Sequence, residues 1–187
     1  MNEEVTMVLE EANESMSNAI SYLEKEFHKI HAGKANPSML EGIKIDYYGT
    51  QTPIEQTANI NTPDPRQIIV QPWDKSVIPE IEKAILAANL GFNPKNEGEI
   101  LRIIVPPLTE ERRKDLVKQA RNEAEQTRIS IRNSRRSAND LAKDLEKEGL
   151  PEDESKKLQD KIQEKTDEYI KQVDELLEKK EKDIMTV

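Results

Sequence analysis

The chain has 187 residues, a formal net charge of -9, 35% apolar and 35% charged residues, and no cysteine. That length allows one domain or two small ones, and the missing cysteine excludes disulfides and thiolate chemistry. Two Phe, one Trp and four Tyr do not make a large aromatic core, and no apolar run approaches the roughly 20 residues that span a bilayer.

The N-terminus carries Glu3, Glu4, Glu10 and Glu11. It has the charge of neither a secretory signal nor an Arg-rich transit peptide, so a cytoplasmic protein without a membrane partner is expected. Residues 2–30 read as a helix. Val5, Leu9, Ala12, Met16, Ala19, Leu23, Phe27 and Ile30 step by threes and fours, the spacing of one packed face. His28 and His31, the two histidines, are three apart near its end and would share a face. With no third ligand in view the pair reads as a polar helix end, and no metal is expected.

From Ala32 to Pro107 the periodicity shortens, and most of the glycines and prolines occur here. Ile43, Ile45 and Tyr47 alternate as in a strand. Ile68-Ile69-Val70 and the run 100–105 read as further strands, and residues 76–90 as one short helix. Trp73 reads as a packing residue. The expected domains are 1–30 with 107–187, a three-helix bundle, and 31–106, an inserted β/α/β domain. Two crossings then join the domains, at about residues 31–33 and 105–107. Gly33 loosens one and Pro106-Pro107 stiffens the other, so the pair reads as a hinge.

Residues 109–148 read as a second long helix. Thr109 is a candidate N-cap, Glu110 and Glu111 suit the positive end of the dipole, and Gly149 suits the C′ position. Its packing seam is expected at Leu116, Ala120, Ala124, Thr127, Ile131, Ser134, Ala138, Leu141 and Leu145. A third helix spans 151–185, with a stripe of Leu158, Ile162, Thr166, Tyr169, Val173, Leu176, Lys180 and Ile184. Three long helices, two of them joined by a tight turn, make a three-helix bundle.

The arginines single out the second helix. Seven of the nine lie between Arg112 and Arg136. Wound at about 100° per residue, Lys114, Lys118, Arg121, Arg128, Arg132, Arg135, Arg136 and Lys143 fall in one stripe about 44 Å long. Glu125 is the one carboxylate in its main run. Residues 102–143 hold 11 Lys+Arg against 6 Asp+Glu, a net of +5; the rest of the chain holds 17 against 31, a net of -14. Guanidinium suits bidentate phosphate contacts. An acidic protein that gathers its arginines on one unpacked face is built to meet a polyanion such as RNA. A merely solvated bundle face is the bland alternative.

No Walker A loop, G-x-G-x-x-G, H-E-x-x-H, nucleophile elbow or Cys/His metal set is present. The residues therefore point to no cofactor and to no enzyme.

The blocks PPLTEERRKDL (106–116), IRNSRR (131–136), GIKIDYYGT (42–50) and KAILAANLGFNP (83–94) stand out in the chain. With them the whole chain resembles the bacterial ribosome recycling factor family. The resemblance implies an α+β fold: a three-helix bundle with a small β/α/β domain, hinged into an L shape that mimics tRNA. It implies a non-enzymatic factor, expected to be a monomer, that acts after translation termination on the 70S ribosome. The bundle would lie along large-subunit ribosomal RNA. Elongation factor G with GTP would drive subunit splitting, and initiation factor three would help keep the subunits apart. The family's RNA-contacting arginines match Arg132, Arg135 and Arg136, with Arg128 and Arg121 on the same stripe. One departure is clear. Relatives often carry a pattern like IRTGRASP after the first helix; here it is IHAGKANP, so His31 and Lys34 replace two arginines.

Two other readings stay open on sequence alone. An RNA-chaperone coiled coil could use the same stripe, although it would not need the inserted domain. A hydrolase in residues 32–106 would show convergent polar groups in a pocket.

Overall fold

A computed structural model of the chain describes residues 3–30 and 33–186. The chain divides into two compact units, Met1–Ile30 with Arg113–Val187, and His31–Arg112. His31 and most of the first expected crossing lie outside the described residues.

The first unit is built from α1 (Glu3–Lys29), α3 (Glu110–Lys147) and α4 (Glu152–Met185). The α1 face buries Val5, Val8, Ala12, Met16, Ile20, Leu23 and Phe27. Val8 and Ile20 therefore take places expected for Leu9 and Ala19, which are half-buried. A helix that faces two neighbours needs a wider apolar band than a strict 3.5-residue repeat supplies. On α3 the seam is Leu116, Ala120, Ala124, Thr127, Ile131, Ala138 and Ala142. Here Leu141, expected in the seam, is 40% exposed. Eleven residues make three full turns of an unstrained helix, so the step from Ile131 lands on Ala142. Ser134 is only half-buried. Of the expected α4 stripe, Leu158, Ile162, Thr166, Val173 and Ile184 are buried, and Tyr169, Leu176 and Lys180 are half-buried.

The two buried threonines of this seam are satisfied within their own helices, while Ser155 Oγ of α4 donates to the Ala142 carbonyl of α3 at 3.5 Å. Thr127 Oγ1 donates to the Glu123 carbonyl at 3.0 Å, and Thr166 Oγ1 to that of Ile162 at 2.7 Å. Both ends of α3 are capped. Thr109 Oγ1 accepts from the Arg112 N–H at 3.1 Å. At the other end Leu150 N–H reaches the Leu145 carbonyl at 2.9 Å and Gly149 N–H that of Glu146 at 3.1 Å. Gly149 sits at φ +115°, and the pattern is a Schellman motif. Four residues, Glu148 to Pro151, carry the chain from α3 into α4.

The second unit starts with an antiparallel hairpin, β1 (Lys44–Tyr47) and β2 (Thr50–Pro53). A four-stranded antiparallel sheet follows, in the order β3 (Ala58–Asp64), β4 (Gln67–Pro72), β6 (Leu101–Ile104), β5 (Pro94–Asn96). One face of it, with Ile68, Val70, Leu101 and Ile103, packs with Ile78, Ile81 and Ile85 of α2 (Ile78–Ala87). Pro63 is accommodated because β3 is an edge strand, with a register shift between Asn61 and Asp64. The expectation that Trp73 packs is wrong. Pro72 takes the last inward position of β4, and Trp73, one residue on, is 68% exposed.

Candidate nucleic-acid interface

An α3 of 38 residues places the whole basic stripe on one continuous element, but the cross-helix contacts divide that stripe in two. Arg121 Nε lies 2.6 Å from Glu181 Oε1 of α4. Arg128 is more heavily engaged. Its Nη2 and Nε reach Asp174 Oδ1 at 2.6 and 3.2 Å, and its Nη1 reaches Glu125 Oε2 at 3.1 Å. Burial pulls this guanidinium's pKa down, but the hydrogen bonds to Asp174 and Glu125 outweigh it and the net shift is upward. Its side chain is only 20% exposed. Arg128 thus serves α3–α4 packing with its charge largely answered, whereas Arg121, 65% exposed, is tied to α4 by one ion pair.

Further along, the carboxylates thin out. Arg132 meets Glu125 Oε1 at 3.5 Å, the limit of a hydrogen bond, and its side chain is 43% exposed. Arg135 Nη1 donates to the neutral Gln163 Oε1, also at 3.5 Å. Arg136 is exposed and pairs with no carboxylate among the described residues. These three offer guanidinium groups with the least internal competition. Spacing alone could not separate them from Arg121 and Arg128, because the acids responsible sit on another helix. Glu125, the one carboxylate already visible in the run, stands three and seven residues before Arg128 and Arg132.

Two recesses flank α3. Lys114, Val117, Lys118 and Arg121 border one with Glu181 and Met185 of α4. A groove of about 330 Å³ lies between α1 and α3, lined by Val8, Ala12, Ser15, Ser134, Ser137 and Leu141 among others. Small residues open it, and Ser15 Oγ and Ser134 Oγ bridge its walls at 2.6 Å. Among the described residues no three His, Cys, Asp or Glu are grouped to hold a metal, and no helix is long and apolar enough to cross a membrane.

The residues expected to form a hinge all fall in the second unit. Pro106 and Pro107 are exposed, between buried Val105 and the Thr109 cap. Gly33 holds φ at +74° beside the Leu108 side chain.

These elements define an α+β protein in which a small sheet-and-helix unit interrupts a three-helix bundle after its first helix. The chain belongs to the ribosome recycling factor family: residues 23–185 match the family model "Ribosome recycling factor". It is 54% identical to the ribosome-recycling factor of Flavobacterium johnsoniae over the full length of both chains. Against that of Syntrophomonas wolfei it is 50% identical over 96% of this chain and 98% of the other. A solution structure of a ribosome recycling factor superimposes with a TM-score of 0.79 at 39% identity, covering all of both chains. A second match, at TM-score 0.64 and 45% identity, covers 97% of this chain and 99% of the other. It comes from models for the T. thermophilus ribosome recycling factor and the E. coli elongation factor G bound to the E. coli post-termination complex.

Proposed function

We propose that this chain recycles ribosomes after termination. It binds the post-termination 70S ribosome and, with elongation factor G and GTP, promotes subunit splitting and release of mRNA and tRNA. Initiation factor three acts in the same pathway. The bundle, residues 1–30 and 107–187, lies on large-subunit ribosomal RNA through Arg132, Arg135 and Arg136. Arg121 and Arg128 lie on the same face and hold α3 to α4. The inserted domain, 31–106, is the part that elongation factor G displaces, about the crossings at Gly33 and Pro106-Pro107. The factor works as a cytoplasmic monomer, without cofactor and without catalysing a covalent step.

The observation that carries this reading is the run of three arginines on one helix face with little internal ion pairing, in a chain whose net charge is -9. The T. thermophilus relative, bound with elongation factor G to a post-termination complex, supports the partners. The test is polysome breakdown in vitro with elongation factor G and GTP. Addition of the protein should convert polysomes to subunits and monosomes. Unchanged polysomes, with elongation factor G shown to be active, would refute it.

A further inference from the structure

Glu125 holds one guanidinium from each half of the arginine stripe. Its Oε2 takes Arg128 Nη1 at 3.1 Å and its Oε1 takes Arg132 Nη1 at 3.5 Å. Two oxygens of one anion bridging two arginines is the arrangement that a backbone phosphate would adopt on this face. We propose that Glu125 is a built-in competitor for phosphate, which holds the affinity of the stripe for RNA below what its arginines could give. The inference rests on the RNA-binding reading above.

The geometry says which arginine transmits the effect. Arg128 is held by Asp174 through two nitrogens whether or not Glu125 is present. Among the described residues Arg132 has no carboxylate partner except Glu125. A phosphate arriving at Arg132 must either displace Oε1 or settle a few ångströms from a like charge. In both cases part of the Coulomb gain is forfeited. Glu125 is half exposed, so it can swing aside at little steric cost. An attenuated grip suits a factor that must leave the ribosome after each round, because affinity among variants of one interface is set mostly by the off-rate.

Glu125→Gln keeps the shape and removes the charge. Its binding to bacterial 70S ribosomes should be measured over a salt titration, beside wild type, Arg135→Ala, Arg132→Ala and the double variant Glu125→Gln/Arg132→Ala, the last read against Arg132→Ala. Urea melts on the same samples confirm folding. Glu125→Gln should bind about three- to tenfold tighter near 0.1 M salt, with a log–log salt slope steeper by up to about one. The gain should vanish in the double variant, because it passes through Arg132. A purely structural i,i+3 helix pair would move neither the salt slope nor its dependence on Arg132. If Arg135→Ala weakens binding while Glu125→Gln binds no tighter than wild type, the competitor role is overturned and the RNA face survives. If Arg135→Ala binds like wild type across the titration, the RNA face itself is wrong and the competitor role falls with it.

Discussion

A Cβ placed on Gly33 would lie 2.5 Å from Cγ of Leu108 and 3.0 Å from its Cδ1. Both residues belong to the second unit, 75 positions apart in sequence, so the close approach ties its start to its end. Neither constraint at Gly33 is easily met by another residue: φ is +74°, in the left-handed region, and the space is filled by the branch point of a leucine.

Gly33→Ala should therefore destabilise the protein by roughly 1–3 kcal/mol from backbone strain, with an added steric share from Leu108. Urea melts of Gly33→Ala, Leu108→Ala and the double variant separate the two. The double variant should lose less than the sum of the singles, because Leu108→Ala clears the clash. Strict additivity would show that the contact carries no energy.

Ile131 and Arg132 are neighbours in sequence with opposite fates. Ile131 is fully buried, and Ile131→Ala should cost about 2–5 kcal/mol. Arg132→Ala, on the outer face, should cost within about 0.5 kcal/mol. Equal shifts in denaturant midpoint would contradict the observed seam.

The division of the stripe makes a ranking. Arg135→Ala and Arg136→Ala should each weaken ribosome binding, and each phosphate left without its arginine should flatten the log–log salt slope by about 0.7–0.9. Arg121→Ala should weaken binding less and act on the α3–α4 packing, because its charge already meets Glu181. Filter binding at several salt concentrations reads both. A larger binding deficit for Arg121→Ala than for Arg136→Ala would reverse the ranking.

Asp74 gives a pH test in the second unit. The Tyr48 hydroxyl donates to Asp74 Oδ2, while Ser76 donates to Oδ1 through its N–H at 2.9 Å and its Oγ at 2.7 Å. These bonds, that from Tyr48 first, hold the carboxyl below its ordinary pKa. A group depressed in the folded state stabilises above its unfolded pKa, about 3.9 for Asp, and loses that contribution as pH falls through the folded value. Asp74→Asn should thus be less stable than wild type at neutral pH, and the gap should close below about pH 4. The same bond raises the Tyr48 pKa, so its contribution is present below the unfolded value near 10 and fades as pH rises through the folded one. NMR titration of Tyr48 should show the ordinary value restored by Asp74→Asn. A gap independent of acid pH would remove Asp74 from the account.

The long helices are legible because a packed helix repeats its apolar contacts every three or four residues over 27 to 38 positions. That length averages out single misfits such as Leu9 or Leu141. The strands β2, β3 and β5 are not legible in the same way. β5 has three residues, too few for alternation to emerge, and β2 reads Thr-Gln-Thr-Pro, with no aliphatic or aromatic side chain to alternate. β3 has seven but contains Asn, Thr and Pro on a sheet edge. Trp73 misleads because size suggests burial, while the pleat of β4 has already assigned the inward place to Pro72. The basic stripe can be drawn from sequence, but not its partition. Asp174 and Glu181 lie 46 and 60 residues from their arginines, and no spacing rule within one helix reaches them.

The Schellman turn at Gly149 and Leu150 fixes how α4 slides against α3. Arg121 and Arg128 find their acids only because α4 starts when it does. One residue inserted into α4 just after that turn would shift the rest of the helix by about 1.5 Å and rotate it by about 100° relative to its start, leaving composition and net charge almost unchanged. Glu181 and Asp174 would then face away, and two cations now answered at home would be offered outward. How strongly the far face pulls on a polyanion is thus set at a corner about 40 Å away, by a clockwork of length and not by any residue of the face itself.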